Sequence, residues 1–274
     1  MGKAITDHTV LSNGVKMPWL GLGVWKLSDE DAEKAVAAAL DVGYRSIDTA
    51  AAYKNEAGVG AAIHKSGIAR DELFITTKVW NSDQGYDTAL SAFEDSRKKL
   101  GLDVVDLLLI HWPVKGKYKD TWRALEKIYR EGLVRAIGVS NFHPHHLEDL
   151  MATSEITPMV NQVEYHPLLA QEELRSFCRS RNIQLEAWSP LMQGNLDIGL
   201  LAEIGAKYGK SPAQVILRWD IQNEVVTIPK TVTPSRMKEN SEIFDFSLTD
   251  EEMQRISALN RNQRFGSDPD NFNF

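Results

Sequence analysis

Short apolar runs alternate with helical patterns along almost the whole chain, and this alternation limits the possible folds more than any other feature of the sequence. Eight of the runs are predicted strands, at residues 19–25, 44–49, 73–80, 104–112, 134–142, 158–166, 184–190 and 225–230. Several are apolar on both faces, which is typical of parallel strands covered by helices. The pattern therefore predicts an α/β protein built on a parallel sheet.

Helical patterns lie between the predicted strands, at residues 28–42, 56–66, 86–99, 119–130, 144–151, 171–181 and 211–222. Two further helices, at 196–208 and 249–260, lie outside the repeat. An unbroken run of eight strand and helix pairs favours a closed (β/α)8 barrel over an open doubly wound sheet. No linker or low-complexity tract interrupts the 274 residues, so we expect a single barrel domain over residues 1–274.

The sequence HTVLSNGVKM near the start predicts a β-hairpin that precedes the barrel. Asn13 and Gly14 stand between two alternating runs, and this pair is typical of a type I′ turn. Two glycine pairs, at 21 and 23 and at 58 and 60, offer only G-x-G without the following G-x-x-G of a dinucleotide-binding turn. We expect these glycines to serve tight turns and close helix packing.

Composition excludes several classes of function. The chain has 31 basic and 38 acidic side chains and a net charge of −7, so nucleic acid and anionic membranes are not expected partners. No apolar run is long enough to cross a bilayer, and the N-terminal residues lack the pattern of a secretory signal, which predicts a cytoplasmic protein. The single cysteine, Cys178, lies in a helical pattern where a buried, unreactive thiol is expected.

Four titratable side chains fall at or just after the ends of consecutive predicted strands. Asp48 ends the second strand and Tyr53 follows it, Lys78 ends the third in TTKVW, and His111 ends the fourth in LLLIHWP. Each could be structural alone: a helix cap, an ion pair or a core imidazole. The carboxyl ends of barrel strands meet at one rim, where active sites of such barrels lie. The shared position therefore predicts a catalytic cluster.

This set of groups suits the reduction of a carbonyl by hydride transfer, in which the carbonyl oxygen must receive a proton. Tyr53 is a weak acid at neutral pH, and a neighbouring Lys78 ammonium should lower the pKa of the phenol. Asp48 would keep Lys78 charged and in place. His111 would hydrogen-bond the substrate oxygen.

A second set of polar residues fits a nicotinamide cofactor. Ser140, Asn141 and Gln162 offer partners for a carboxamide, and Trp188 offers a flat face for the ring, although core packing explains Trp188 equally well. After the eighth strand, the cationic and hydroxyl side chains that precede a short helix suit a phosphate monoester; they are Lys230, Thr231 and Arg236. That arrangement favours NADPH over NADH, with a solvated basic cluster as the alternative.

The chain resembles the aldo-keto reductases over essentially its full length. The motifs GLGVWK, DTAAAYKNE, TTKVW, LLLIHWP, IGVSNF, NQVEYHP, WSPL and IPKTVTPSRMKEN occur in that family's order. The resemblance implies a (β/α)8 barrel with an N-terminal hairpin and two extra helices, and a catalytic tetrad of Asp48, Tyr53, Lys78 and His111. It also implies NADPH bound in an extended form by Ser140, Asn141, Gln162, Trp188, Ser189, Leu191, Lys230, Thr231, Arg236, Glu239 and Asn240, with the last two facing the adenine.

Short rim loops distinguish this chain from the longer animal members and predict an open substrate pocket, with Trp25, Trp80 and Trp112 as candidate walls. The short prokaryotic-type reductases of methylglyoxal and 2,5-diketo-D-gluconate are most similar to it. We therefore expect a monomeric enzyme that reduces aldehydes, α-dicarbonyls and ketones with NADPH, with a small-molecule carbonyl substrate. The alternatives are a dedicated 2,5-diketo-D-gluconate reductase and, in a different class, a non-catalytic NADPH-binding redox sensor, which would not require the whole tetrad.

Three histidines in FHPHHLED, His143, His145 and His146, raise the question of a metal site. Pro144 begins the next predicted helix, and surface histidines at such a position need no ligand role. From the sequence alone we expect no metal.

Overall fold

A parallel eight-stranded barrel forms the centre of the molecule. The computed structural model describes residues 4–274. The barrel strands are β3 (Leu22–Gly23), β4 (Ser46–Asp48), β5 (Phe74–Val79), β6 (Val105–Ile110), β7 (Val134–Ser140), β8 (Val160–Glu164), β9 (Gln184–Trp188) and β10 (Val226–Thr227). Neighbours along the chain pair in parallel from β3 to β10. Bridges from Leu20 to Thr227 and from Gly23 to Lys230 then close the barrel, so the predicted fold is confirmed.

Helices surround the barrel, with bounds α1 (Asp29–Val42), α2 (Glu56–Ser66), α3 (Tyr86–Leu100), α4 (Tyr118–Arg130), α5 (Pro144–Met151), α6 (Glu172–Ser180), α7 (Gly199–Tyr208), α8 (Pro212–Gln222), α9 (Pro234–Ser241) and α10 (Asp250–Ser257). One helix follows each barrel strand, and α7 and α10 are the two extra ones. Cys178 of α6 is buried, as predicted. None of the helices in residues 4–274 has the length and hydrophobicity needed to cross a bilayer.

The N-terminal hairpin covers the amino end of the barrel, opposite the rim where the strands finish. Its strands β1 (His8–Val10) and β2 (Lys16–Pro18) are antiparallel. The Asn13 amide donates to the carbonyl of Arg135, near the start of β7. The predicted type I′ turn is wrong, because positive φ within residues 11–15 is confined to Gly14 (φ 87°) and a type I′ turn needs it at both central residues.

Two glycines of α2 permit close contact with neighbouring helices, as the sequence suggested. A Cβ at Gly58 would lie 2.0 Å from the carbonyl oxygen of Asp29 at the start of α1. A Cβ at Gly60 would lie 2.4 Å from the carbonyl oxygen of Leu100 at the end of α3. Both distances are too short for any side chain, so these helices pack backbone against backbone.

Candidate active site

The parallel barrel brings the predicted catalytic residues to one rim. Asp48 is the last residue of β4, Lys78 lies one residue before the end of β5, and His111 directly follows β6. Tyr53 ends a short 3-10 turn, 51–53, just after β4. Because all strands run in the same direction, residues at corresponding strand ends lie side by side.

A buried ion pair lies beneath the tyrosine. Lys78 Nζ donates to Asp48 Oδ1 over 2.7 Å and to the carbonyl of Thr49 over 3.0 Å. Its distance to the Tyr53 hydroxyl oxygen is 3.4 Å. The side chain of Lys78 is 0% exposed and that of Asp48 is 4% exposed. The three groups therefore form one connected chain of polar contacts from the barrel interior to the rim.

Burial and charge act in opposite directions on this cluster. Burial disfavours the ammonium of Lys78, but the Asp48 carboxylate, together with Tyr53 and Glu186, outweighs burial and raises the pKa of Lys78 above its usual value. Burial also raises the pKa of the Tyr53 phenol, and the opposing effect of Lys78 is smaller. The expected direction of the lysine's effect is correct, but the expected net lowering of the Tyr53 pKa is wrong because burial dominates.

The imidazole of His111 packs between two aromatic rings at the rim. Its ring centroid lies 5.7 Å from that of Tyr53 and 5.0 Å from that of Trp80, both in edge-on arrangements. Burial, followed by the charge of Lys78, lowers the pKa of His111 well below its usual value, so the ring is neutral at pH 7. Its Nδ1 atom is buried without a hydrogen-bond partner among residues 4–274.

The predicted carboxamide residues bond to one another and to the tetrad. Asn141 Nδ2 donates to the carbonyl of His111 (3.0 Å), and Asn141 Oδ1 accepts from Trp188 Nε1 (2.9 Å). The Ser140 hydroxyl donates to the backbone carbonyl of Gln162 (2.7 Å). These bonds fix Asn141, in the left-handed conformation with φ 65°, as the link between His111 and the indole of Trp188.

A buried carboxyl that sequence reasoning missed, Glu186, lies on the inner side of the cluster. Gln162 Nε2 donates both to Asp48 Oδ2 (2.7 Å) and to Glu186 Oε2 (2.9 Å). Burial, reinforced by the charge of Asp48, raises the pKa of Glu186 to about 8. The sequence did contain a signal for this residue. Glu186 precedes Trp188 by two residues, and alternate residues of a strand share a face, so the sequence places Glu186 on the same face as Trp188.

The side of the rim next to His111 is lined by aromatic rings from two parts of the chain. The Phe274 ring stacks on Trp80 at 5.9 Å between centroids and meets Trp112 edge-on at 5.2 Å. Phe272 lies 5.1 Å from Trp112. The expectation of an open pocket is therefore wrong on this side. Trp25 is 48% exposed and its ring contacts Lys26, so it does not join the aromatic cluster.

Hydrogen bonds to Glu164 hold the C-terminal segment beside the indole of Trp188. Glu164, the last residue of β8, accepts hydrogen bonds from the backbone N–H groups of Phe265 (2.6 Å) and Gly266 (3.1 Å). A Cβ at Gly266 would lie 2.3 Å from the Trp188 ring. The segment thus packs directly against the edge of the indole.

The predicted phosphate-binding residues lie at the start of α9. Lys230 and Arg236 are exposed, and the Thr231 hydroxyl accepts from the backbone N–H of Thr233 over 3.1 Å. Asn240 is buried, and the Glu239 carboxylate accepts from the Ser211 hydroxyl. Farther along the rim, Ser189 is in the left-handed conformation (φ 52°) and Leu191 is half-buried against the core. The arrangement offers two exposed cationic side chains, without ion-pair partners among residues 4–274, beside a helix N-terminus.

Comparison with known proteins agrees with this geometry. The sequence model of the Aldo/keto reductase family matches residues 19–261. Glyoxal reductase of Bacillus subtilis (strain 168) is 60% identical over 276 residues, covering 100% of both chains. Methylglyoxal reductase DkgA of Escherichia coli (strain K12) is 47% identical over 267 residues, covering 96% of both chains.

A solved structure shows the same fold. A variant of Gox0644 in complex with NADPH superposes with a TM-score of 0.93 at 42% identity, covering 97% of this chain and 98% of that one. Together with the matched family region and the full-length relatives, the superposition shows that this chain belongs to the aldo/keto reductase family.

Proposed function

We propose that this enzyme reduces aldehydes, α-dicarbonyls and ketones to alcohols with NADPH, and that Tyr53 donates the proton. The observation that carries the proposal is the buried Lys78 between Asp48 (2.7 Å) and the Tyr53 hydroxyl (3.4 Å). Burying an ion pair is costly, so its position beneath the Tyr53 phenol supports a chemical role. A barrel that only bound the cofactor would gain nothing from this arrangement.

The donors and acceptors of the site suit a nicotinamide carboxamide. Both N–H groups of Gln162 Nε2 are donated to Asp48 and Glu186, so the side-chain oxygen of Gln162 is the atom left to accept from a carboxamide NH2. The indole of Trp188, anchored through Nε1 to Asn141, offers its face for stacking. The Ser140 hydroxyl helps to position Gln162 through its hydrogen bond to the Gln162 backbone carbonyl.

The far end of the cofactor would lie against α9. Lys230, Thr231 and Arg236 suit the 2′-phosphate, because a phosphate monoester gains charge-assisted hydrogen bonds from cationic side chains near a helix N-terminus. Ser189 and Leu191 would contact the middle of the extended molecule. Glu239 and Asn240 are proposed to meet the adenine.

When bound, NADPH would supply the hydride for the carbonyl carbon. As negative charge develops on the substrate oxygen, the Tyr53 hydroxyl transfers its proton to that oxygen, and the Lys78 ammonium stabilises the phenolate that remains. Asp48 holds Lys78 in place and keeps it charged. The neutral His111 ring, positioned through its backbone carbonyl by Asn141, donates a hydrogen bond that orients the carbonyl.

Small carbonyl compounds are the proposed substrates. The rings of Trp80, Trp112, Phe272 and Phe274 form an apolar wall next to His111, which suits an aldehyde or α-dicarbonyl better than a carboxylated, polyhydroxylated keto-sugar. This makes a dedicated 2,5-diketo-D-gluconate reductase the second choice. The names of the two relatives, a glyoxal and a methylglyoxal reductase, support the same class. We propose that the enzyme acts as a cytoplasmic monomer.

Replacing Tyr53 with phenylalanine tests the proton donor. We expect Tyr53→Phe to lower kcat for methylglyoxal by at least about 10²-fold, because general acid catalysis contributes on that order. NADPH should still quench tryptophan fluorescence, showing that the variant is folded and binds the cofactor. Tyr129→Phe, on α4 and in contact with Asn13 of the hairpin, is the matched control and should keep full activity. Unchanged turnover in Tyr53→Phe would remove Tyr53 from the mechanism.

A further inference from the structure

Three imidazoles at the start of α5 meet two carboxylates from the C-terminal segment. His145 Nε2 lies 2.9 Å from Asp270 Oδ1, and His146 Nε2 lies 3.3 Å from the same oxygen. His143 Nε2 lies 3.6 Å from Asp268 Oδ1 and 3.8 Å from Asp270 Oδ2. The histidines are neighbours in sequence, but the carboxylates arrive from more than a hundred residues away, so only the fold reveals the cluster.

The spacing of these atoms suits a bound cation. The ligand atoms of His145, His146 and Asp270 all lie within 4.8 Å of one another, as do those of His143, Asp268 and Asp270. Ligand atoms around a tetrahedral ion with bonds of about 2.0–2.1 Å lie roughly 3.4 Å apart. The separations of 2.9 and 3.3 Å from Asp270 Oδ1 are close to this value. Small side-chain rotations would place an ion between the groups.

Solvent reaches the cluster through a groove on the surface of the barrel. The groove has a volume of about 470 Å³, and its lining includes His143, His145 and Asp270. Two further carboxylates, Glu148 and Glu173, also line it and favour the entry of a cation. The His145 ring is 60% exposed and the Asp270 side chain is 50% exposed.

We propose that His145, His146 and Asp270 form a site for a divalent transition metal, with Zn²⁺ as the best match, and that the ion fastens the C-terminal segment to α5. His143 and Asp268 form a second group with Asp270 beside this one, and water would complete the coordination of the ion. Imidazole nitrogens with a carboxylate oxygen are ligands that Zn²⁺ prefers, whereas Mg²⁺ and Ca²⁺ prefer all-oxygen sets.

The three ligands are not equivalent. His146 Nδ1 accepts a hydrogen bond from the backbone N–H of His143 over 3.1 Å, which places the proton of the neutral His146 ring on Nε2. An ion at that atom requires the proton to leave and the Nδ1 bond to be given up, so His146 is the weaker ligand. His145 carries no such bond at Nδ1 within residues 4–274. His145 and Asp270 therefore form the primary pair.

The proposed site lies at the base of the segment that ends in the aromatic wall. Asp268 and Asn271 are bridged, with the Asn271 N–H donating to the Asp268 carbonyl over 3.0 Å, and the Asp270 N–H donates to Asp268 Oδ1 over 3.0 Å. Phe272 and Phe274 follow directly. An ion on Asp270 would hold this turn and, through it, the position of both phenylalanines.

Zinc binding tests the site without reference to catalysis. The EDTA-treated protein is titrated with Zn²⁺ and with Mg²⁺ by isothermal calorimetry, and bound zinc is counted by atomic emission after desalting. We expect one equivalent of Zn²⁺ and no measurable Mg²⁺ binding. His145→Ala and Asp270→Asn should each weaken zinc binding by more than about tenfold. His8→Ala, which removes an exposed histidine of the hairpin, should bind zinc like the parent protein.

Hydrogen exchange tests the fastening. In the parent protein, Zn²⁺ should slow the exchange of amides within residues 265–274, and in Asp270→Asn it should not. Absence of zinc binding, zinc binding by His145→Ala and Asp270→Asn as tight as that of the parent protein, or Mg²⁺ binding as tight as that of Zn²⁺ would overturn the site. Zinc binding without slower exchange in residues 265–274 would overturn the fastening.

Discussion

Glu186 makes the stability of this barrel depend on pH in a direction opposite to that of most acidic residues. The residue is 1% exposed, its carboxyl shares the amide of Gln162 with Asp48, and burial raises its pKa from 4.5 to about 8. The unfolded chain ionises Glu186 near pH 4.5, whereas the folded chain keeps the proton until about pH 8. Unfolding therefore releases a proton in this window, and rising pH favours the unfolded state.

The variant Glu186→Gln removes this titration and keeps the size of the side chain and its ability to accept from Gln162. Between pH 5 and pH 7, one released proton lowers the free energy of unfolding by about 1.4 kcal/mol per pH unit, or about 3 kcal/mol in total. All other titrating groups are shared by the two proteins, so their contributions largely cancel in the difference between the two free energies of unfolding. We expect the stability of Glu186→Gln relative to the parent to rise by up to that amount from pH 5 to pH 7.

Urea unfolding followed by circular dichroism at both pH values measures this difference. Glu164→Gln is the matched control, since Glu164 is equally buried at the end of the neighbouring strand. Burial alone would raise the pKa of Glu164, but hydrogen bonds from His166, Phe265 and Gly266 outweigh it and hold the pKa below its usual value. The stability that this ionised group contributes is present above its unfolded pKa and is lost only in acid. Glu164→Gln should therefore be destabilised similarly at pH 5 and pH 7. A Glu186→Gln difference that does not change with pH would refute the reasoning.

Three other substitutions test the cofactor site, the aromatic wall and the helix contacts. Arg236→Ala should raise the KM for NADPH by roughly tenfold and leave the KM for NADH nearly unchanged, since a charge-assisted phosphate contact is lost; equal effects would refute the 2′-phosphate assignment. Phe274→Ala should raise the KM for phenylglyoxal several-fold while the KM for NADPH stays constant, and an unchanged KM would exclude the ring from the substrate wall. Gly60→Ala should lower stability by about 1–3 kcal/mol because its Cβ would lie 2.4 Å from the Leu100 carbonyl oxygen. Gly199→Ala, with no atom within 4 Å of the added Cβ, is the control for thermal unfolding, and equal melting temperatures would contradict the packing argument.

The barrel and the position of the tetrad could be predicted because both depend on local patterns. Strand and helix periodicity fixes the repeat, and a parallel repeat places strand ends such as Asp48 and Lys78 on one rim. Glu186 could have been found in the same way, through its alternation with Trp188. The turn type at Asn13 and Gly14 could not, since the dipeptide is compatible with more than one loop geometry.

Contacts of the C-terminal segment were beyond sequence reasoning. Residues 264–274 have no periodic pattern, and their placement depends on hydrogen bonds to Glu164 and on ring contacts with Trp80 and Trp112. Long-range contacts of irregular chain leave no local signal. The net pKa of Tyr53 was missed for a related reason, because the extent of burial depends on the whole assembly.

The hairpin at the amino end of the barrel separates the part of the molecule that contributes stability from the part that carries the tetrad. Hydrogen bonds from Thr9 to Gln184 and from Asn13 to Arg135 hold the hairpin over the end away from the tetrad, and the opposite end is the proposed entrance for substrates. Mutations that loosen this plug should reduce heat resistance without altering turnover, whereas rim loops are free to diversify. Substitutions at the hairpin end can thus raise stability, and substitutions in the rim loops can change substrate selectivity, with little effect of one on the other.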